Sequence, residues 1–263
     1  MNEILVYLFF SHIIGDFYLQ TETIAKRKNQ EITLLIAHGL LYCIPFLFLF
    51  IISTDRNHLL QAIVFVCLGH FLVDYLKAML YQKESLGRKL KKYNLNEAIV
   101  YILDQGLHII VMIGITMYFW RKGMSLSLIH ADRIAEYMGF HLEHIVKWAF
   151  LISLLYKPAN LTFVKLFACY KPFHPDHGEQ ESEIIDENNR KAGAVIGFLE
   201  KLLIVIFLSI QQYASIALIM TAKSIARYDK LSKESGFAEY YLIGTLFSLL
   251  IAIVAYYFVF SVL

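Results

Sequence analysis

The sequence predicts an all-α fold: a polytopic transmembrane helical bundle of seven spans plus a short or re-entrant helix, with its N-terminus outside. Three observations predict it. Of 263 residues, 58% are hydrophobic and only 17% charged, and the mean hydropathy is +0.54. A soluble domain of this size has no interior large enough to hide that much apolar sequence. The apolar residues also come in runs near the roughly 20 that a helix needs to cross a bilayer. Finally, Lys and Arg gather in alternate connections.

Taken in order, the spans are expected at 4–20, 32–53, 59–81, 97–119, 145–168, 193–211 and 240–262. The first lacks a basic leader and is expected to stay in the mature protein. Thr21–Glu31 holds Lys26, Arg27 and Lys28, and Gln82–Asn96 holds Lys83, Arg88, Lys89, Lys91 and Lys92, whereas Ser53–His58 has one Arg and one Asp. Positive charge marks the cytoplasmic side, so both basic loops face inward. Trp120–Glu143, with His130, His141 and His144 in or beside it, reads as an exposed amphipathic segment. A polar cytoplasmic loop is expected over 170–192; its His174, Asp176 and His177 are weak metal candidates in a proline-rich context. Gly193–Arg227 is too long for one span and is interrupted at Gln211-Gln212-Tyr213, hence the short or re-entrant helix. By character the chain divides into a four-helix metal-site membrane domain, 1–120, and a C-terminal membrane extension, 121–263. Cys43, Cys67 and Cys169 are unevenly spaced in apolar surroundings and read as small packing residues.

The chemistry lies in the first four spans. Span one contains His12-Ile13-Ile14-Gly15-Asp16, span three His70-Phe71-Leu72-Val73-Asp74, and span four Asp104-Gln105-Gly106-Leu107-His108. Residues four apart share a helix face, so each pair can grip one cation from one side. Random placement of ten His and eight Asp predicts about 0.6 such pairs, and three are present. Three uncompensated mid-helix Asp would cost roughly 8–10 kcal/mol on insertion. The bland alternative is three separately satisfied core pairs, but depth argues against it. With alternating span direction, His12, Asp16, His38, His70, Asp74, Asp104 and His108 all fall in the cytoplasmic half of their spans. One site is expected. Three Asp and four His exceed what one tetrahedral ion needs, so two or three divalent ions are expected, zinc foremost and manganese as second choice. Asp16, Asp74 and Asp104 are the catalytic candidates. Clustered divalent ions clamp phosphoryl oxygens and acidify water. Lys77 is placed to meet a phosphate oxygen or to snorkel, and Gln20 to orient a carboxylate or cap the interface. Glu200 and Lys201 either pair within the bundle or join Lys223 and Arg227 in binding an anionic headgroup.

His12-Ile-Ile-Gly-Asp16-Phe-Tyr-Leu-Gln20 resembles the His-Phe-x-Gly-Asp-x-His-Gln signature of the zinc phospholipase C and P1 nuclease superfamily. That resemblance implies that His12 binds zinc and that Asp16 bridges two zincs; His70 and Asp74 resemble the superfamily's later His-x-x-x-Glu pair. Tyr18 replaces the signature's second histidine, the glutamine is shifted by one position, and no Pro-Leu-His follows. As a whole the chain looks like a bacterial multi-span membrane family, domain of unknown function 3307, akin to membrane-bound metal-dependent hydrolases. Residues 1–120 carry that likeness best, and Ala222–Arg227 with Ala238–Thr245 fit a C-terminal extension seen in some members.

The expected function is therefore hydrolysis of a phosphate ester, carried by a membrane lipid, at the cytoplasmic leaflet of a bacterial inner membrane. A divalent-cation transporter is the first alternative, because His/Asp pairs on membrane helices also build transport sites. A non-catalytic membrane protein stapled by a structural metal is the second. A homo-oligomer is left open. No nucleotide fingerprint, nucleophile elbow or Cys–His pair at catalytic spacing is present, and no nucleic-acid partner is expected.

Overall fold

A computed structural model describes residues 2–82, 97–170, 179–233 and 235–263, and every described element is helical. The order is α1 (Asn2–Ile13), α2 (Glu22–Arg27), α3 (Ile32–Ile52), α4 (Leu59–Gln82), α5 (Glu97–Arg121), α6 (Ile129–Tyr137), α7 (Leu142–Leu166), α8 (Glu179–Ser209), α9 (Tyr213–Ala226), α10 (Tyr228–Lys233) and α11 (Ser235–Tyr257). A π turn, Ile14–Tyr18, extends α1, and a second, Phe258–Val262, follows α11.

Four helices are long and apolar enough to cross a membrane, and α6 with α7, bent by 96°, makes a fifth if counted as one broken span. The seven spans expected are thus not all met among the described residues. The first falls short because α1 and its π turn, 12 and 5 residues, reach only about 25 Å against a roughly 30 Å hydrocarbon core. The sixth proves to be the end of the 31-residue α8, whose first turns, Glu179–Arg190, are rich in charge. That helix also takes up the second half of the loop expected over 170–192; His174, Asp176 and His177 lie outside the described residues, as do Lys83–Asn96. The break expected at Gln211-Gln212-Tyr213 is present, with Gln211 in the left-handed region at φ 59° between α8 and α9.

The pattern of burial is that of a protein solvated by lipid. In α3 the buried residues are Leu35, His38, Tyr42, Phe46 and Leu49, a single stripe at helical spacing. The outward face carries Leu40, Ile44, Phe48 and Ile51, all exposed. In α4, His70 and Asp74 are buried while Leu68, Leu72 and Leu76 face out. Polar inside and apolar outside inverts the soluble arrangement and removes the hydrophobic drive for helix association, so close packing has to substitute.

The chain divides into two compact units, Met1–Ser153 and Leu154–Val262. The first continues past residue 120 because later residues dock on α1 and the α3–α4 turn. Phe150 stacks on Phe9 at 6.4 Å, the Tyr18 hydroxyl donates to the Ser153 carbonyl at 2.9 Å, and the Thr54 amide donates to the Ser127 carbonyl at 2.7 Å. In the second unit, α8 packs against α9 and α11.

One glycine sets the geometry of the first unit. A Cβ on Gly15 would lie 2.9 Å from Tyr42 Cδ2, 3.0 Å from its carbonyl oxygen and 3.2 Å from its Cα. Backbone cannot rotate away as a side-chain tip can. Gly15→Ala is therefore expected to push the π turn off α3 and cost about 1–3 kcal/mol. A thermal midpoint equal to wild type would show that the contact is softer than its distances imply.

Candidate metal centre

Four helices of the first unit, α1 with its π turn, α3, α4 and α5, deliver polar groups to one place. The π turn carries Asp16 one turn beyond His12; α3 supplies His38 and Tyr42, α4 supplies His70, Asp74 and Lys77, and α5 supplies Asp104, Gln105 and His108. The extra backbone residue of a π turn is a common device for re-aiming a side chain at a site. His12, Asp16, His38, His70, Asp74 and His108 are all buried.

Four ligand atoms form a compact group. His38 Nε2 lies 3.2 Å from His70 Nε2, 3.2 Å from Asp16 Oδ1 and 3.2 Å from Asp74 Oδ2. His70 Nε2 lies 4.0 Å from Asp16 Oδ1 and 3.6 Å from Asp74 Oδ2. A tetrahedral ion with bonds of about 2.0–2.1 Å holds its ligand atoms about 3.3–3.4 Å apart. Five edges of the Asp16, His38, His70, Asp74 tetrahedron thus scatter around the spacing that a zinc-sized ion imposes. The smaller sets Asp16, His38, His70 and His70, Asp74, His108 each have ligand atoms within 4.8 Å of one another.

His108 is prepared as a ligand. Its Nδ1 lies 2.8 Å from the Asp104 backbone carbonyl. A carbonyl can only accept, so Nδ1 carries a proton, and in the neutral imidazole Nε2 is then the bare lone pair. That Nε2 is buried without a hydrogen-bond partner and lies 3.9 Å from Asp74 Oδ1, itself buried and unpartnered. Asp74 therefore turns Oδ2 to His38 and His70 and Oδ1 to His108, which is how a carboxylate stands when it bridges two ions. Asp16, the bridge expected from the signature, directs Oδ1 to His38 but gives Oδ2 to the Gln105 amide, which donates to it at 3.2 Å. His12 rounds off the group: its Nδ1 lies 3.0 Å from the Tyr42 hydroxyl, and its ring centroid is 5.9 Å from that of His70 and 6.1 Å from that of His108. Tyr42 in turn stacks on His70 at 3.6 Å, nearly parallel.

The orphaned groups supply the fit test. His38 Nδ1, His70 Nδ1, Asp74 Oδ1, Asp104 Oδ1 and His108 Nε2 are all buried without hydrogen-bond partners. Each unmatched group costs about 1–3 kcal/mol, so a cluster of them is stable only with something that accounts for them. Three of the five are lone-pair donors, the chemistry a divalent ion takes up. The residues present fit a zinc-sized divalent ion.

Lys28 is the residue the sequence does not reveal. It belongs by position to the basic run that precedes α3, yet its Nζ is buried 2.8 Å from Asp74 Oδ2 and 4.0 Å from Asp16 Oδ1. Gln105 is equally unmarked. The glutamine that orients a carboxylate is Gln105 rather than Gln20, whose buried Oε1 has no hydrogen-bond partner. Lys77 is engaged by Asp104 at 2.7 Å. Three carboxylates thus face two ammonium groups, and with neutral imidazoles the cluster keeps one excess negative charge.

Lys223 and Arg227 belong to the second unit, where they have partners of their own. Lys223 pairs with buried Glu200, Lys201 donates to Asn160 Oδ1 at 2.8 Å, and the Arg227 guanidinium sits 6.0 Å from the Phe237 ring centroid. The Glu200–Lys223 pair is the within-bundle reading of those charges.

Among curated proteins and solved structures, none matches the chain. A family described as "Protein of unknown function (DUF3307)" matches residues 4–135. Those residues take in α1 to α5 and with them every ligand of the His/Asp centre. The chain is a multi-span helical membrane protein, and it belongs to that family.

Proposed function

We propose that the chain is an intramembrane divalent-metal hydrolase, zinc-dependent or failing that manganese-dependent, acting on a phosphate ester carried by a lipid. Its place would be the cytoplasmic leaflet of a bacterial inner membrane, the side that the basic connections assign to the site. The observation that carries the reading is the near-tetrahedral spacing of Asp16 Oδ1, His38 Nε2, His70 Nε2 and Asp74 Oδ2, beside a prepared His108. When bound, the ions supply a Lewis acid for a phosphoryl oxygen and acidify water. The chain's own residues do the rest. Asp74 spans the two ligand groups with its two oxygens and so fixes their separation. Asp104 holds His108 in its ligating tautomer through its backbone carbonyl and keeps Lys77 at the edge of the cluster. From there the Lys77 ammonium can turn to a phosphate oxygen. Gln105 orients Asp16, and the apolar outer faces of α3 to α5 keep bulk water out.

A second reading has its own support. A pocket of about 330 Å³ is lined by Glu3, Asp132, Glu136, Glu143 and His141, and Glu3 lies roughly 20 Å along α1 from Asp16. Carboxylates at the far end of the helix that carries the ligands suit a divalent-cation transporter. The deciding experiment uses purified chain in detergent with zinc or manganese, assayed for phosphate or headgroup release from phospholipids and polyprenyl phosphates. Turnover that is lost in Asp74→Asn supports the hydrolase. No turnover, with zinc moving across proteoliposomes, gives the transporter; zinc bound but neither hydrolysis nor transport leaves a structural staple.

A further inference from the structure

Of Thr21–Glu31, the stretch that leads into α3, only Ile24 and Lys28 are buried. Lys26 and Arg27 take surface partners one turn away, Glu22 and Glu31. Lys28, the C-cap of α2, turns inward instead and places its ammonium on the oxygen of Asp74 that forms one corner of the tetrahedron. Buried ammonium groups persist only where they are paired, and this one has two carboxylates within 4.0 Å. A lone pair on Asp74 Oδ2 can accept a Lys28 N–H or bind an ion, not both. Were both cations on that oxygen, they would stand only about 4–5 Å apart and repel strongly in a low dielectric.

We infer that Lys28 is a tethered cation that competes with the divalent ion for Asp74 and Asp16, neutralising them in the metal-free protein and withdrawing when the ion binds. The inference rests on the metal reading above and adds a residue that sets the site's affinity. Lysine suits this role because its ammonium is a compact charge on a flexible four-carbon stem, and it binds no metal while protonated. Its withdrawal removes the ion pair that ties the end of α2 to the cluster, so loading the site also loosens that segment.

Zinc titration of full-length protein in detergent, against a chromophoric chelator of known affinity, tests this alongside thermal midpoints in excess chelator. Lys28→Gln removes the competitor and the neutralising charge together. Its zinc affinity is expected to rise about tenfold or more, while its metal-free midpoint falls by about 10 °C. Lys28→Arg keeps the charge and can hold both carboxylate oxygens at once, so it is expected to bind zinc more weakly than wild type and to keep its metal-free midpoint. If Lys28→Gln cannot be purified without zinc, the Lys28→Arg titration decides alone. Zinc bound equally by all three proteins, or less tightly by Lys28→Gln, overturns the competitor role and leaves the metal centre standing. No zinc bound by any of them overturns both.

Discussion

Asp74→Asn is expected to abolish stoichiometric zinc binding and to lower turnover of a phosphate ester by at least about a thousandfold. Removing a group that merely orients a ligand commonly costs 10–100-fold in metal affinity, and Asp74 faces both ligand groups with its own oxygens. The amide keeps the size of the side chain but loses the charge and one of the two acceptors. A second effect appears without metal. Lys28 would be left buried with only Asp16 nearby, at 4.0 Å, and stranding a buried charge costs about 3–5 kcal/mol. Pairing the change with Lys28→Gln should return most of that stability while leaving zinc binding lost. The double variant thus separates the electrostatic role of Asp74 from its ligand role, as a mutant cycle should. Full zinc occupancy in Asp74→Asn, measured by elemental analysis, would remove Asp74 from the centre.

Chelation should produce the other large effect. Zinc at about a thousand times its Kd adds roughly 4 kcal/mol to the folded state. For a chain of this size that corresponds to a midpoint about 8–16 °C higher with zinc than with excess chelator. The shift should be confined to proteins with an intact centre, so His38→Ala and His70→Ala, each removing a corner of the tetrahedron, should melt at nearly the same temperature with and without zinc. A wild-type melting curve that strong chelator leaves unchanged would count against any metal among these helices.

The centre is largely legible in the sequence because helical spacing converts position into direction. His12 with Asp16, His70 with Asp74, and Asp104 with His108 stand one turn apart, and His38 is the only histidine of its span; the structure brings all of these together. What is not legible depends on contacts between segments. Lys28 sits in a run of three basic residues, and nothing local distinguishes the one that turns inward from the two that stay on the surface. Gln105 gives no signal, since one glutamine beside one aspartate is ordinary. Which carboxylate turns one oxygen to each ligand group, Asp74 here, depends on where each oxygen points, which spacing does not encode. Hydropathy fails differently: it registers α8 by its apolar end and takes no account of the charged turns that continue the same helix.

Two ion pairs of the first unit, one buried and one part-buried, share an order along the chain. Lys28 precedes its partner Asp74, and Lys77 precedes its partner Asp104. During synthesis, each of these carboxylates enters the bilayer after the ammonium that will neutralise it has already emerged. A mid-helix Asp costs about 2.5–3.5 kcal/mol to insert alone, a penalty that α4 and α5 can each relieve on arrival rather than after the whole bundle has assembled. Moving either lysine to the far side of its partner would preserve the charges and lose that timing. The first casualty would then be yield of inserted protein, before any change in the chemistry of the finished fold.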